Sequence, residues 1–560
     1  MTELIQTLNN LHKKYVEKDF VTAEIGVRDA LQKWPNQPDV LRLGALTALA
    51  LNQFVTADQR LGRASELVPM TAEMANTNGN IRTAVADWVQ AEAAYKEAII
   101  LDSSYKLPRV NLINLYIKSG QPYKALECLD DGEDYTELGE LARIQVYAML
   151  GRYEDALLLL DGVLDQKKSE ALLLQQLKCL AVLGRLDEME EAFEVFDENS
   201  PFITDAMAIC VNSYIMRGHR EQALDVIAKV TASDDVASSA LINAAQILNR
   251  ENENTLSKAI LQTAAERFSN DPDVLCQLGQ EALKDGNVTR SFETFTECLQ
   301  LKPGHFPALL GRAQAAIVDG NYSDAEGAIQ AALSQAPNNQ YIMALGATLQ
   351  RARGQNHKAL YNYEKYVRVY DLKPPNGYSD IAEFNAEMKR ELEALHVYSG
   401  APVNQSVRGG TQTETDLAHT RNPILQMFFQ SVDAPIHDYM HAIGNHPHHP
   451  LLKRNTGGYR ISGAWSIRLS QDGHHVNHVH PMGWLSSAYY VDVPSTIGDK
   501  NHEGWIKFGE PALNVDQDAE FFVQPKAGRL VLFPSYMWHG TVPFSGDESR
   551  LTLPFDVVPA

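Results

Sequence analysis

Two histidines one residue apart, in Asn477-His478-Val479-His480-Pro481, are the part of this chain most able to do chemistry. In a strand, as expected for this segment, residues i and i+2 face the same side. His478 and His480 can therefore aim both imidazoles at one point, a spacing that suits two ligands of one metal ion. A third imidazole, His539, stands sixty-one residues after His478, at the end of Pro534-Ser535-Tyr536-Met537-Trp538-His539. Eleven residues further on, Arg550 opens the run Arg550-Leu551-Thr552-Leu553. An arginine in an apolar strand is expected to pair with a carboxylate. A divalent metal next to a bound carboxylate is the chemistry this set offers.

Strands must position these groups. Gly528-Arg529-Leu530-Val531-Leu532-Phe533-Pro534 reads as a turn glycine and a buried strand that delivers His539 at its far end. Trp484 to Val491 and the alternating run Ala464-Trp465-Ser466-Ile467-Arg468-Leu469 read as further strands. From about residue 400 the composition shifts to Tyr, Trp, Val, Gly and Pro, the signature of a sandwich or barrel. Ahead of it, Leu372-Lys373-Pro374-Pro375-Asn376-Gly377 cannot continue a helix. One short helix is predicted after that, roughly Ile381 to Leu395.

The first two thirds repeat with a period of 34. Gly286, Gly320 and Gly354 are followed five residues later by Ser291, Ala325 and Ala359, and nine residues later by Phe295, Ile329 and Tyr363. Gly279, Ala313 and Ala347 precede them by seven, and Pro303 and Pro337 keep the phase. A turn glycine, small residues where two helices meet, a bulky residue toward the next unit and a helix-stopping proline resemble the tetratricopeptide repeat. Upstream the phase runs through Asn252, Gly218, Gly184, Gly151, Gly120, Ala86, Asn52 and Lys18, so about eleven units are expected over residues 1–370. Stacked repeats usually form a binding groove. Asn114 and Asn212, in first helices of their repeats, are groove candidates, with ordinary solvent exposure the expectation for each.

With these residues in view, the C-terminal region resembles the iron and 2-oxoglutarate oxygenases. The resemblance rests on paired ligands at i and i+2, a third histidine about sixty residues on, and an arginine about ten residues later. Gly-Gly-Thr-Gln-Thr upstream, His-x-His-Pro, Trp-Leu-Ser and Tyr-Tyr-Val are similar to the bacterial 2OG-Fe(II) oxygenases that carry TPR arrays. The resemblance implies a multidomain α + β chain: an all-α TPR-like superhelix over 1–372, a linker and connecting helix over 373–400, and a double-stranded β-helix (jelly roll) over 401–560. It implies Fe(II) on His478, His480 and His539, with 2-oxoglutarate as co-substrate and dioxygen as oxidant. Arg550 would hold the distal carboxylate of 2-oxoglutarate. Thr552, on the same face, is a candidate hydroxyl contact, and Tyr490 or Tyr489 another. The usual facial triad has one carboxylate, and His480 stands in its place. The alternative keeps only His478 and His539 on the metal with His480 beside it. Asp492, the nearest later carboxylate, is expected to face elsewhere.

The resemblance further implies a dioxygenase that hydroxylates a protein or peptide recruited by the TPR groove. Two competing readings are a zinc or other cupin-like metal hydrolase, because three histidines also suit zinc, and a non-catalytic TPR scaffold with a degenerate oxygenase domain. The cluster His446-Pro447-His448-His449 reads as an exposed loop, and His474 and His475 as solvent-exposed residues near the mouth of the site.

The formal net charge of −22 repels phosphate backbones, so no nucleic-acid partner is expected. No run of 18 apolar residues and no basic, apolar leader is present, so neither a membrane partner nor export is expected and the location reads as cytoplasmic. Five scattered cysteines read as buried apolar side chains rather than as disulfides or a thiolate metal site. The sequence leaves oligomeric state open.

Overall fold

The computed structural model describes residues 2–85, 87–130, 137–164, 169–403, 405–498 and 501–560. The chain divides into two compact units, one running to Leu159 and one from Leu160 to Pro559. Helices joined by short turns fill the first unit and continue in the second as far as Gln340–Ala352. The chain is thus built of TPR-like helical repeats followed by an antiparallel β region.

The repeat phase has a backbone cause. Gly120, Gly151, Gly184, Gly218, Gly286, Gly320 and Gly354 all take the left-handed conformation that closes a helix. Lys18, Asn52 and Asn252 take it too, at φ 61°, 58° and 64°. The phase therefore holds without glycine, at two asparagines, which adopt this conformation more readily than most residues, and even at a lysine; Ala86 lies outside the described residues. Helix pairs approach on small side chains. Ala23, Ala57, Ala91, Ala125, Ala156, Ala223, Ser257, Ser291 and Ala325 are all buried. Phe295 is fully buried, and its ring lies over Gly279 and Gly311 on two neighbouring helices, where a methyl group would overlap it. The last unit departs from the pattern. After Gly354 there is a single turn, His357–Ala359, and a four-residue helix, Tyr363–Tyr366, with Ala359 exposed. The sheet region captures this stretch instead: the Tyr361 hydroxyl donates to the Tyr536 carbonyl at 2.9 Å and accepts from the Trp538 amide at 3.1 Å.

Among the described residues these strands follow: β1 (Arg368–Asp371), β2 (Val407–Gln412), β3 (Tyr459–Ala464), β4 (Ile467–His475), β5 (Leu485–Asp492), β6 (Ile506–Phe508), β7 (Phe521–Val523), β8 (Arg529–Pro534), β9 (His539–Thr541), β10 (Arg550–Thr552) and β11 (Phe555–Pro559). The larger sheet runs β1-β8-β5-β10-β4-β2, with β11 joining β3 to β5; the smaller runs β7-β6-β9. All pairings are antiparallel. Trp484, Tyr489, Phe508, Phe533 and Trp538 are fully buried in the core. The predicted connecting helix spans Ile381–Glu393, and its Asn385 donates to the Val491 carbonyl at 2.9 Å. The predicted alternating run 464–469 is split: β3 ends at Ala464 and β4 begins at Ile467, and the Trp465 amide donates to the Pro554 carbonyl at 3.2 Å.

Candidate metal centre and its cavity

His478 and His480 do not lie on a regular strand, contrary to expectation. They lie in the extended segment between β4 and β5, held by a single bridge between His478 and His539 and by the bond from the His480 amide to the Ser535 carbonyl at 3.0 Å. The i, i+2 geometry survives, since extended backbone alone sets it. His539 opens β9 rather than ending the strand before it; the turn Ser535–Trp538 intervenes. The two strand segments approach closely at Gly540, where a Cβ would lie 2.5 Å from the Asn477 side-chain oxygen.

One helix braces both histidine segments. The amide of Gln340 donates to the carbonyl of Pro481, next to His480, at 2.9 Å. The indole of Trp538, next to His539, donates to the hydroxyl of Thr348 at 3.0 Å. Both anchors lie at or in Gln340–Ala352, so the final repeat helix fixes the spacing of the histidine segments.

The three imidazoles converge, with their ligand atoms all within 4.8 Å of one another. Nδ1 of His478 faces the Val476 carbonyl at 2.8 Å, and Nδ1 of His539 faces the Met537 carbonyl at 2.8 Å. Nδ1 of His480 faces an Asp556 carboxylate oxygen at 2.6 Å. Each acceptor holds a proton on Nδ1 and so leaves the Nε2 lone pair free. Nε2 of His478 and Nε2 of His480 lie 3.3 Å apart with no proton required between them. A group disposed in this way could hold a metal ion.

The electrostatics agree. Burial, followed by the His480 charge, pushes His478 down to about 3. Burial also holds His539 well below the ordinary imidazole value. His480 differs: burial opposes its charged form, but the Asp556 carboxylate outweighs burial and raises it. Asp556 also accepts from Ser486 Oγ at 2.8 Å. The sequence reading missed Asp556. Its only signal was a lone acid in the apolar strand Phe555-Asp556-Val557. Carboxylates that orient ligating histidines in this way raise their basicity.

The histidines open on a cavity of about 920 Å³, which Tyr490, Arg550 and Thr552 also line. Arg550 is 3% exposed. It donates to the Gly504 carbonyl at 2.6 Å and to Thr541 Oγ1 at 3.4 Å, and stands 5.6 Å from the Tyr490 ring. Its Nε has no partner, and no acid pairs with it among the described residues. Thr552 contacts the Ile467 carbonyl at 3.4 Å. Tyr489 is not at the cavity: its hydroxyl donates to Asn385 at 2.7 Å. Asp492 is ion-paired to Lys389 at 2.5 Å, away from the histidines.

Other expectations fare unevenly. His446 and His448 are exposed and gather no metal-binding group among the described residues. His475 is not a solvent residue; it lines the cavity, and its Nδ1 lies 2.9 Å from Ser406 Oγ, which is also 3.3 Å from His478 Nε2. Asn114 is exposed, as expected. Asn212 is not: it accepts from the Val403 amide at 2.7 Å. Ser399 and Gly400 donate to the Met216 carbonyl at 2.8 and 2.9 Å, so the chain's own connector occupies this repeat. Among the described residues no helix is long and apolar enough to cross a membrane.

Comparison with known proteins gives three family matches. A model described as "Putative 2OG-Fe(II) oxygenase" matches residues 463–556. The middle TPR-like domain of cilia and flagella-associated protein 70 matches residues 251–369, and a PPR repeat matches 110–133. Cellulose synthase operon protein C of Pseudomonas fluorescens (strain SBW25) is 22% identical over 413 residues, covering 61% of this chain and 32% of that protein. The chain thus spans about a third of the length of this curated relative. A thermophilic TPR protein of Thermus thermophilus is similar over 32% of this chain and 98% of its own, at 20% identity and TM-score 0.29. A tetratricopeptide repeat protein from Parabacteroides merdae ATCC 43184 is similar over 49% of this chain and 96% of its own, at 14% identity and TM-score 0.29. An oxygenase-family domain at the C-terminal end and TPR-type repeats before it are therefore both present.

Proposed function

We propose that this protein is a 2-oxoglutarate- and Fe(II)-dependent dioxygenase that hydroxylates a protein or peptide brought to it by the repeats. In this reading residues 1–372 are the repeat array, 373–400 the connector and 401–560 a double-stranded β-helix, to which the array lends β1 as an added strand. Three imidazoles whose Nδ1 atoms face acceptors and whose Nε2 atoms are left to ligate fit a divalent cation, so His478, His480 and His539 would hold Fe(II). When bound there, Fe(II) with 2-oxoglutarate and dioxygen supplies the oxidising power for hydroxylation, coupled to decarboxylation of the keto acid.

The observation that carries the proposal is Arg550. A buried guanidinium with no internal carboxylate is costly. One that shares a cavity with three metal-type histidines is neutralised when an anionic ligand enters. Its free Nε and remaining N–H donors suit the far carboxylate of 2-oxoglutarate. Tyr490 and Thr552 flank that carboxylate as hydroxyl donors in this reading. Asp556 keeps His480 turned with Nε2 inward. The apolar wall of Ile467, Ile506 and Ala488 limits water around the reacting groups.

The all-histidine donor set favours zinc as a second reading, with hydrolysis as the activity. An unpaired buried arginine has no task in that chemistry. Anaerobic titration of the full chain with Fe(II) and then 2-oxoglutarate separates the two. The oxygenase reading expects a weak visible charge-transfer band, lost in His539→Ala, and succinate formation once oxygen is admitted. Tight zinc binding with no band and no succinate would reject it.

A further inference from the structure

The cavity wall carries more positive charge than the proposed co-substrate needs. Besides Arg550 it includes Arg250, Arg408 and Arg460, against a single acid, Asp556, which is already paired with His480. This occurs in a chain whose formal charge is −22. None of the three extra arginines forms an ion pair among the described residues. Arg250, at the end of the repeat helix Ser238–Arg250, donates to the carbonyls of Gln405 and Val407. Arg408 on β2 donates to the same two carbonyls, at 3.0 and 2.8 Å. Two guanidiniums thus crowd one short stretch of backbone. Burial, then the charge of Arg408, lowers Arg250 to about 10, and Glu251, its chain neighbour, compensates only in part. Two like charges gathered without an anion are stabilised when one binds between them. Arg460, on β3 elsewhere along the wall, keeps a buried Nε with no partner.

We propose that Arg250 and Arg408 form a second anion subsite in this cavity, distinct from Arg550, that receives a carboxylate or phosphate group carried by the substrate. That the anion belongs to a substrate rests on the oxygenase reading; the subsite itself does not. Arg250 makes the repeat array part of the cavity wall, so an array helix takes a direct part in selecting what enters. Main-chain carbonyls hold the guanidiniums of Arg250 and Arg408 in place before any ligand arrives, which limits the ordering needed on binding.

The test uses the full chain, loaded with Fe(II) and saturating 2-oxoglutarate without oxygen, and titrated calorimetrically with inorganic phosphate while the visible band is followed. Phosphate is expected to bind with the band unchanged, and more weakly as salt rises. Arg408→Gln and Arg250→Gln should each weaken it about ten-fold, with 2-oxoglutarate affinity unaltered. Arg250→Gln could loosen the junction between helix and strand. Arg408→Gln guards against that, because the hydrogen bonds of Arg408 reach only its own loop. No binding, binding that removes the band, or binding indifferent to both substitutions would overturn the proposal. If the band never forms but arginine-dependent phosphate binding persists, the oxygenase reading falls and the subsite stands. A glutamate-rich peptide compared with free glutamate then identifies the source of the anion: tighter peptide binding assigns it to a polypeptide, equal binding to a small molecule.

Discussion

Asp556→Asn is the substitution whose consequences follow most fully from the geometry. Asp556 holds the Nδ1 proton of His480 at 2.6 Å and is itself fixed by Ser486 at 2.8 Å. Asparagine keeps the shape and removes the charge. Two effects then oppose each other. Loss of the carboxylate makes the imidazole a weaker donor and frees its tautomer, which typically lowers metal affinity about 10–100-fold, or roughly 1.4–2.7 kcal/mol. The same loss leaves burial acting alone, so the raised titration of His480 drops below its ordinary value of 6.5. In the wild type, a proton on Nε2 competes with the metal as pH falls through the raised value, somewhere above 6.5. In the variant that competition begins at lower pH. The affinity gap should therefore be widest in mildly alkaline buffer and narrow as pH falls through neutrality. Anaerobic calorimetry with Fe(II), from about pH 6 to pH 9, measures both curves. Equal affinities at the alkaline end would refute the idea that Asp556 supports a ligating histidine.

Other perturbations have simpler outcomes. Arg550→Ala should weaken 2-oxoglutarate binding about 10–100-fold through loss of a charge-assisted pair, with Fe(II) affinity nearly unchanged in the same titration. Without metal, His478 and His539 resist protons that the unfolded chain accepts near 6.5, so their stabilising effect is present above that pH and is lost as pH falls toward about 3. His480 contributes in the opposite sense, below 6.5, but it is one group against two. Urea unfolding of the metal-free chain should thus show falling stability from about pH 6.5 downward, with added metal restoring stability at the upper end of that range. Gly311→Ala should cost about 1–3 kcal/mol because its methyl group meets the Phe295 ring. Lys18→Gly should gain about 0.5–1 kcal/mol by relieving a left-handed lysine at φ 61°. Denaturant midpoints check both.

The repeats were legible because a backbone requirement marks the turns at the described phase positions. The turn between paired helices needs a left-handed residue, and the phase could be followed even through Lys18 and Asn252. The last unit was not legible, because Tyr361 and Tyr363 fit a repeat pattern as well as they fit the sheet region that takes them. The convergence of His478 with His480 follows from two-residue spacing, a local property. Asp556 is 76 residues from its histidine, and Arg250 lies on a helix of the array; neither association has a local signature. Asn212 shows the same limit: a polar residue at a groove position can be satisfied by the chain's own connector, and nothing in its helix reveals that.

Anomalous diffraction from crystals of the full chain, loaded with Fe(II) and 2-oxoglutarate without oxygen, would locate the metal and the keto acid together. One ion is expected, ligated by Nε2 of His478, His480 and His539, with the far carboxylate of the keto acid on Arg550. An ion bound by only two of these imidazoles, or a keto acid whose far carboxylate lies away from Arg550, would contradict this assignment.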